Sequence, residues 1–175
     1  MTAAAPESIA DIADLLQHAL VIETEAAERY RSLGHQMAVH NSPHIARIFE
    51  KMADIEGRHA AEIEARLRGL SPPDRKPWEY AWGDAASPEA GGDEEAHYMM
   101  TARQALEMVL EAEQRAYDFY RGLAKTVRDR EIKALVDEFA TEEKEHVALV
   151  ENLLAKEPYT PADWDFDPDP PGQGD

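Results

Sequence analysis

Apolar residues recur along this chain at the three-and-four spacing of α-helices, in four long segments. In the first, over about residues 7–40, Ile9, Ile12, Leu16, Leu20, Ala27, Tyr30 and Met37 form one stripe. The motif HNSPHI interrupts it, where Ser42 suits an N-cap and Pro43 a first helical residue. The second segment, about 42–69, carries Ile45, Phe49, Met52, Ile63 and Leu67. It stops at RGLSPP, where Gly69 suits a helix C-terminus and the prolines beyond cannot continue the helix. The third, about 101–127, opens with Thr101 and Gln104 in capping-box spacing and runs through Leu106, Val109, Leu110, Tyr117, Tyr120 and Leu123. The fourth, about 129–155, uses Ile132, Leu135, Phe139, Leu149 and Leu153.

The connections predict how these helices assemble. Two are short, so helices 1 and 2, and helices 3 and 4, are expected as antiparallel neighbours. The middle one, residues 70–100, has no helical period, and its Trp78, Tyr80 and Trp82 call for a surface to pack on. Extended chain covers about 3.3 Å per residue, so this stretch can cross a bundle about 40 Å long. The expectation is an all-α four-helix bundle over residues 1–155, with one long crossover between helices 2 and 3. Residues 156–175 are acidic and Pro-rich, and read as an extended strap held by Trp164 and Phe166 or as a disordered tail.

Polar residues interrupt the apolar stripes in a repeated way. Glu-x-x-His occurs three times, at Glu56/His59, Glu94/His97 and Glu143/His146. The Glu94 pair follows GG in the connection, off any stripe, and reads as coincidence. The other two belong to a repeat. ETEAAERY places Ala26 and Tyr30 three and seven residues after Glu23, and EQRAYDFY places Ala116 and Tyr120 at the same offsets from Glu113. The two halves stand 90 residues apart at Glu23 and Glu113, and 87 apart at Glu56 and Glu143. The difference falls where an insertion costs little, in the hairpin turn.

Each of these residues lies between apolar neighbours on its stripe, so four carboxylates should meet inside the bundle. Buried carboxylates left unpaired cost several kcal/mol each. No Lys or Arg shares the inward positions, which leaves protons or metal to neutralise them. Four carboxylates balance two divalent ions, and two imidazoles give each ion one nitrogen. Such oxygen-rich ligation suits iron or manganese better than structural zinc. One Glu from each of two helices, with Glu-x-x-His from each of the others, is the ligand pattern of di-iron and di-manganese bundles. Gly57, between Glu56 and His59, costs its helix about 1 kcal/mol relative to alanine and suggests a close approach by a neighbouring segment. His18, His35, His40 and His44, at helix ends or off the stripe, read as structural. Glu25, Glu28, Glu111, Glu142 and Glu145 read as surface charges paired with basic residues a turn away. Tyr30 and Tyr120 read either as core packing or as partners of the carboxylates.

Composition narrows the partners. Asp and Glu number 36 against 18 Lys and Arg, for a net charge of −18, which argues against binding nucleic acid or anionic membrane. There is no cysteine, which excludes disulfides, thiolate metal sites and Cys nucleophiles. The first residues lack a basic signal-peptide region, and no apolar run approaches membrane-spanning length. The expectation is a soluble, cytoplasmic protein.

With these residues placed, residues 8–155 resemble the rubrerythrin-like branch of the ferritin-like superfamily, on ETEAAERY, EGRH, EQRAYDFY and EEKEH. The resemblance implies a ferritin-like bundle binding two iron ions per chain, with manganese as the alternative. It implies that Glu23 and His59 hold one ion, Glu113 and His146 the other, and that Glu56 and Glu143 bridge both. Tyr30 and Tyr120 would orient the ligand carboxylates. The implied activity is redox chemistry with peroxide or dioxygen, of peroxidase or ferroxidase type, in a homodimer or larger homo-oligomer. The alternatives are a ferritin-like protein that oxidises and stores iron, and a metal-free scaffold bundle. Full-length rubrerythrins carry a cysteine-rich electron-delivery domain, so a cysteine-free chain implies an external electron donor. They also tend to carry an extra Glu one turn after the third-helix ligand, where this chain has Ala116. That departure implies a more symmetric site with six ligands.

Overall fold

The computed structural model describes residues 9–83, 86–90 and 100–158. Among them there are four α-helices and no strand: α1 (Ile12–Val39), α2 (Pro43–Leu67), α3 (Ala102–Thr126) and α4 (Arg130–Leu154). A short 3-10 turn, Pro77–Glu79, lies in the connection between α2 and α3. α1 packs along α2 and α3 along α4, and contacts of α2 with α3 and of α1 with α4 close the expected four-helix bundle. The expected Glu94/His97 pair and the tail from residue 159 lie outside the described residues.

The helix ends follow local chemistry. α1 begins at Ile12 rather than near residue 7, because Asp11 accepts from the Asp14 N–H at 2.8 Å while Asp14 accepts from the Ala10 N–H at 2.8 Å. Thr101 and Gln104 form the expected reciprocal box at the start of α3, with bonds of 3.1 and 2.8 Å. Asp129 caps α4 through the Glu131 and Ile132 N–H groups. Ser42 occupies the N-cap position of α2, but its side chain makes no capping bond.

The core is divided along the bundle axis. One apolar cluster gathers Ala26, Tyr30, Met37, Phe49, Met52, Leu106, Val109, Val150 and Leu154. The other gathers Leu15, Ile22, Ile63, Tyr120, Ile132, Val136 and Phe139. On every helix the division falls at the same height, where Glu23, Glu56, Glu113 and Glu143 stand. The stripes are broader than their spacing suggests, so Leu15 and Ile22 are buried on α1 whereas Leu20 is only partly covered. On α4, Val136 and Val150 take the deepest positions, followed by the expected Phe139, while Leu135 and Leu153 are only partly buried beside them.

The crossover is anchored on α1. Arg75 forms a two-pronged pair with buried Asp14, at 2.7 Å on each side. His18, also buried, donates from Nδ1 to the Asp14 carbonyl at 2.7 Å and accepts at Nε2 from the Ala81 N–H at 3.0 Å. That pattern requires a neutral imidazole, and burial lowers its pKa accordingly. Tyr80 and Trp82 stack 4.6 Å apart, and both meet the His18 ring edge-on. Trp78, expected to pack with them, instead stays 65% exposed, in the 3-10 turn.

Gly57 is not a point of close approach. A Cβ there would meet only the Arg31 guanidinium, at 4.0 Å, which is ordinary contact. The close approach is at Gly34, where a Cβ would lie 3.3 Å from the Glu50 Cγ and 3.4 Å from the Ala46 carbonyl oxygen. That spacing lets α1 and α2 draw together beside their turn.

Candidate metal centre

All four helices contribute to the polar layer between the apolar clusters. Glu23, Glu56, Glu113 and Glu143 are buried, as is His146, while the His59 side chain is 26% exposed. His59 Nδ1 lies 3.6 Å from Glu23 Oε2 and 3.5 Å from Glu56 Oε2. His146 Nδ1 lies 3.1 Å from Glu113 Oε2, 3.5 Å from Glu143 Oε2 and 3.9 Å from Glu56 Oε2. The two imidazoles stack face to face, with centroids 4.8 Å apart and planes 4° from parallel. The six residues singled out by the repeat therefore converge, each histidine beside the Glu three residues before it and the Glu of a facing helix.

The tyrosines differ. Tyr30 donates to Glu113 Oε1 at 3.1 Å, tying helix α1 to a carboxylate on α3. Its counterpart in the repeat, Tyr120, is equally buried, but its hydroxyl has no hydrogen-bond partner. The two-fold pattern of the sequence is thus broken at the hydroxyls.

A fifth carboxylate enters the layer from the crossover. Glu89 is fully buried, and one of its oxygens lies within 4.8 Å of carboxylate oxygens of Glu23 and Glu56. The expectation of a site lined by six such residues is therefore incomplete. Glu89 lies in SPEAGG, a stretch with no helical period, so no spacing could place it. The available signal was a lone acid between Pro and Gly in a connection rich in aromatics. Glu25, expected at the surface opposite a basic residue, instead accepts from the Ser87 N–H at 2.8 Å and helps hold this segment.

Charge in this layer is compensated poorly by the protein. Burial raises the carboxyls of Glu23 and Glu56 well above their usual value, reinforced for Glu23 by Glu143 and for Glu56 by Glu113. Burial also raises Glu143, against the opposing pull of His146. Burial disfavours a charged His146, but the Glu113 and Glu143 carboxylates outweigh it and push its pKa up to about 12. His59 is raised by Glu56, with burial opposing. The protons belong to the cluster as a whole, since each group titrates against several others.

This donor set fits divalent metal. Buried with no hydrogen-bond partner are both oxygens of Glu56 and of Glu89, one each of Glu23 and Glu143, and His59 Nδ1. Unsatisfied acceptors of this density call for neutralisation by protons or by a cation. Three overlapping groups could each hold an ion: Glu56, His59 and His146; Glu113, Glu143 and His146; and Glu23, Glu56 and Glu89. Carboxylate oxygens with at most two imidazoles match iron or manganese.

Comparison with known proteins agrees. The chain is 38% identical to an uncharacterized conserved protein from Magnetospirillum magnetotacticum MS-1, whose crystal structure superposes with a TM-score of 0.67 over 86% of this chain and 98% of that one. Curated proteins yield no match. No helix among the described residues is long and apolar enough to cross a membrane. The Rubrerythrin family model matches residues 14–154, a span that holds all four helices but for the first two residues of α1, together with every carboxylate and imidazole of the cluster, and so the chain belongs to the rubrerythrin family.

Proposed function

We propose that the cluster holds two iron ions, or two manganese ions, per chain and serves redox chemistry with peroxide or dioxygen. The observation that carries this reading is the set of buried carboxylate oxygens without a protein partner, gathered at one height on four helices. Glu23 and His59 would hold one ion and Glu113 and His146 the other, with Glu56 and Glu143 reaching both. Two ferrous ions would supply two electrons, the number needed to reduce a peroxide O–O bond.

The remaining work falls to the chain itself. Tyr30 fixes the orientation of the Glu113 carboxylate through its hydroxyl. The apolar clusters on either side keep water from the layer, so charges within it interact strongly. His59, the most exposed of the group, marks the side from which small molecules would arrive. The chain has no cysteine, so a separate electron donor is part of the proposal, as is assembly into a homodimer or larger homo-oligomer.

Anaerobic loading with Fe(II), followed by mixing with peroxide or with dioxygen, tests the reading. It expects two irons per chain and rapid oxidation by at least one oxidant. Binding of fewer than about one iron or manganese per chain would overturn it. The net charge of −18 favours a second reading, in which the chain collects and stores iron without turnover. Storage needs a large closed shell, which size-exclusion chromatography separates from a dimer.

A further inference from the structure

Glu89 is not accounted for by the six-residue site. It reaches the polar layer from the crossover, outside the helices, and its side chain is completely buried. Neither carboxylate oxygen has a hydrogen-bond partner. The segment that carries it is docked through its backbone: Arg29 donates to the Glu89 carbonyl at 2.9 Å and Arg115 to the Pro88 carbonyl at 2.9 Å. The Ser87 N–H donates to Glu25 at 2.8 Å. These bonds, from α1 and α3, hold the loop in place whatever side chain residue 89 bears. The carboxylate is therefore not needed for docking, and burying it without a partner costs several kcal/mol.

We propose that Glu89 is a metal ligand supplied by the crossover, binding the ion held by Glu23 and Glu56 and making the centre a seven-residue site. One of its oxygens lies with one each from Glu23 and Glu56 within 4.8 Å of one another, a spread that one cation can collect. Ligation gives an orphaned oxygen its partner and makes the loop at 86–90 part of the centre. Metal binding then tightens the crossover onto α1 and α3, coupling occupancy of the site to order in this loop. The inference rests on the proposed dinuclear centre, and its test separates the two.

The test uses the full chain as wild type, Glu89→Gln and Glu89→Ala. Each is titrated anaerobically with Fe(II) and, for its ligand-field spectrum, with Co(II). The expected result is two ions in the wild type, with a loss of about tenfold or more in affinity for one of them in both variants. The Co(II) spectrum should change for that ion alone. Amide hydrogen exchange of residues 86–90 in the wild type should slow when metal is added, a readout that needs no variant to fold. Two ions bound with wild-type affinity and an unchanged Co(II) spectrum in both variants would overturn the role of Glu89 while leaving the dinuclear centre intact. So would exchange at 86–90 that metal leaves unaltered. A wild type that binds no metal would overturn both.

Discussion

Replacing Glu56 with glutamine separates a metal ligand from a structural acid, because the two roles predict opposite changes in stability. Glu56 is fully buried, and its carboxyl is raised by burial first, with Glu113 and Glu23 adding to the effect and His59 opposing it. A raised carboxyl contributes its full stability below the unfolded value of 4.5 and loses it as pH climbs towards the folded value. At pH 7 the cost to the metal-free protein is capped by the 2.5 units above 4.5, or about 3.4 kcal/mol. Glutamine keeps the shape and cannot ionise. Its amide donates into a cluster rich in acceptors, so it acquires partners that the carboxylate lacks. In chelator at pH 7, Glu56→Gln should therefore be more stable than wild type by about 1–3 kcal/mol, a rise in Tm of about 2–12 °C for a chain of this size. At pH 5 the cap falls to about 0.7 kcal/mol and the gain should nearly vanish. Excess Mn(II) should invert the order. At one hundred times its Kd each bound ion adds about 2.7 kcal/mol to wild type, and the variant should lose much of that. Differential scanning calorimetry under these three conditions reads all of it. A variant that melts below wild type in chelator at pH 7, or whose gain persists at pH 5, would refute the reasoning.

Four further substitutions probe the surroundings. Arg75→Ala strips the two-pronged partner from buried Asp14 and should cost about 3–5 kcal/mol in urea unfolding; an unchanged midpoint would show that the crossover is not anchored there. Tyr30→Phe should weaken metal binding about tenfold, measured by anaerobic titration, because Glu113 loses the hydroxyl that orients it. Tyr120→Phe removes a hydroxyl that has no partner, and should leave affinity unchanged and stability equal or higher. Gly57→Ala should stabilise the protein by up to about 1 kcal/mol in the same unfolding assay, since the added methyl meets only ordinary contact.

The sequence alone determined most of this protein through local rules. Helices α1 to α4 follow from apolar spacing and from caps such as Thr101 and Asp129, whose chemistry acts within one turn. The six repeated ligand candidates were legible because helical period places Glu56 with His59, and Glu143 with His146, on inward faces without knowledge of the partner helix. Only the tertiary structure decided the rest. Glu89 enters the layer from a connection with no period, held by backbone bonds to Arg29 and Arg115 that no local pattern encodes. Tyr30 and Tyr120 occupy equivalent places in the repeat, yet only Tyr30 finds a carboxylate, because a hydroxyl bond depends on the spacing of two helices to within a fraction of an ångström. Gly34 rather than Gly57 marks the close approach for the same reason. Helical period assigns a face, and packing distances are set by the neighbour that covers it.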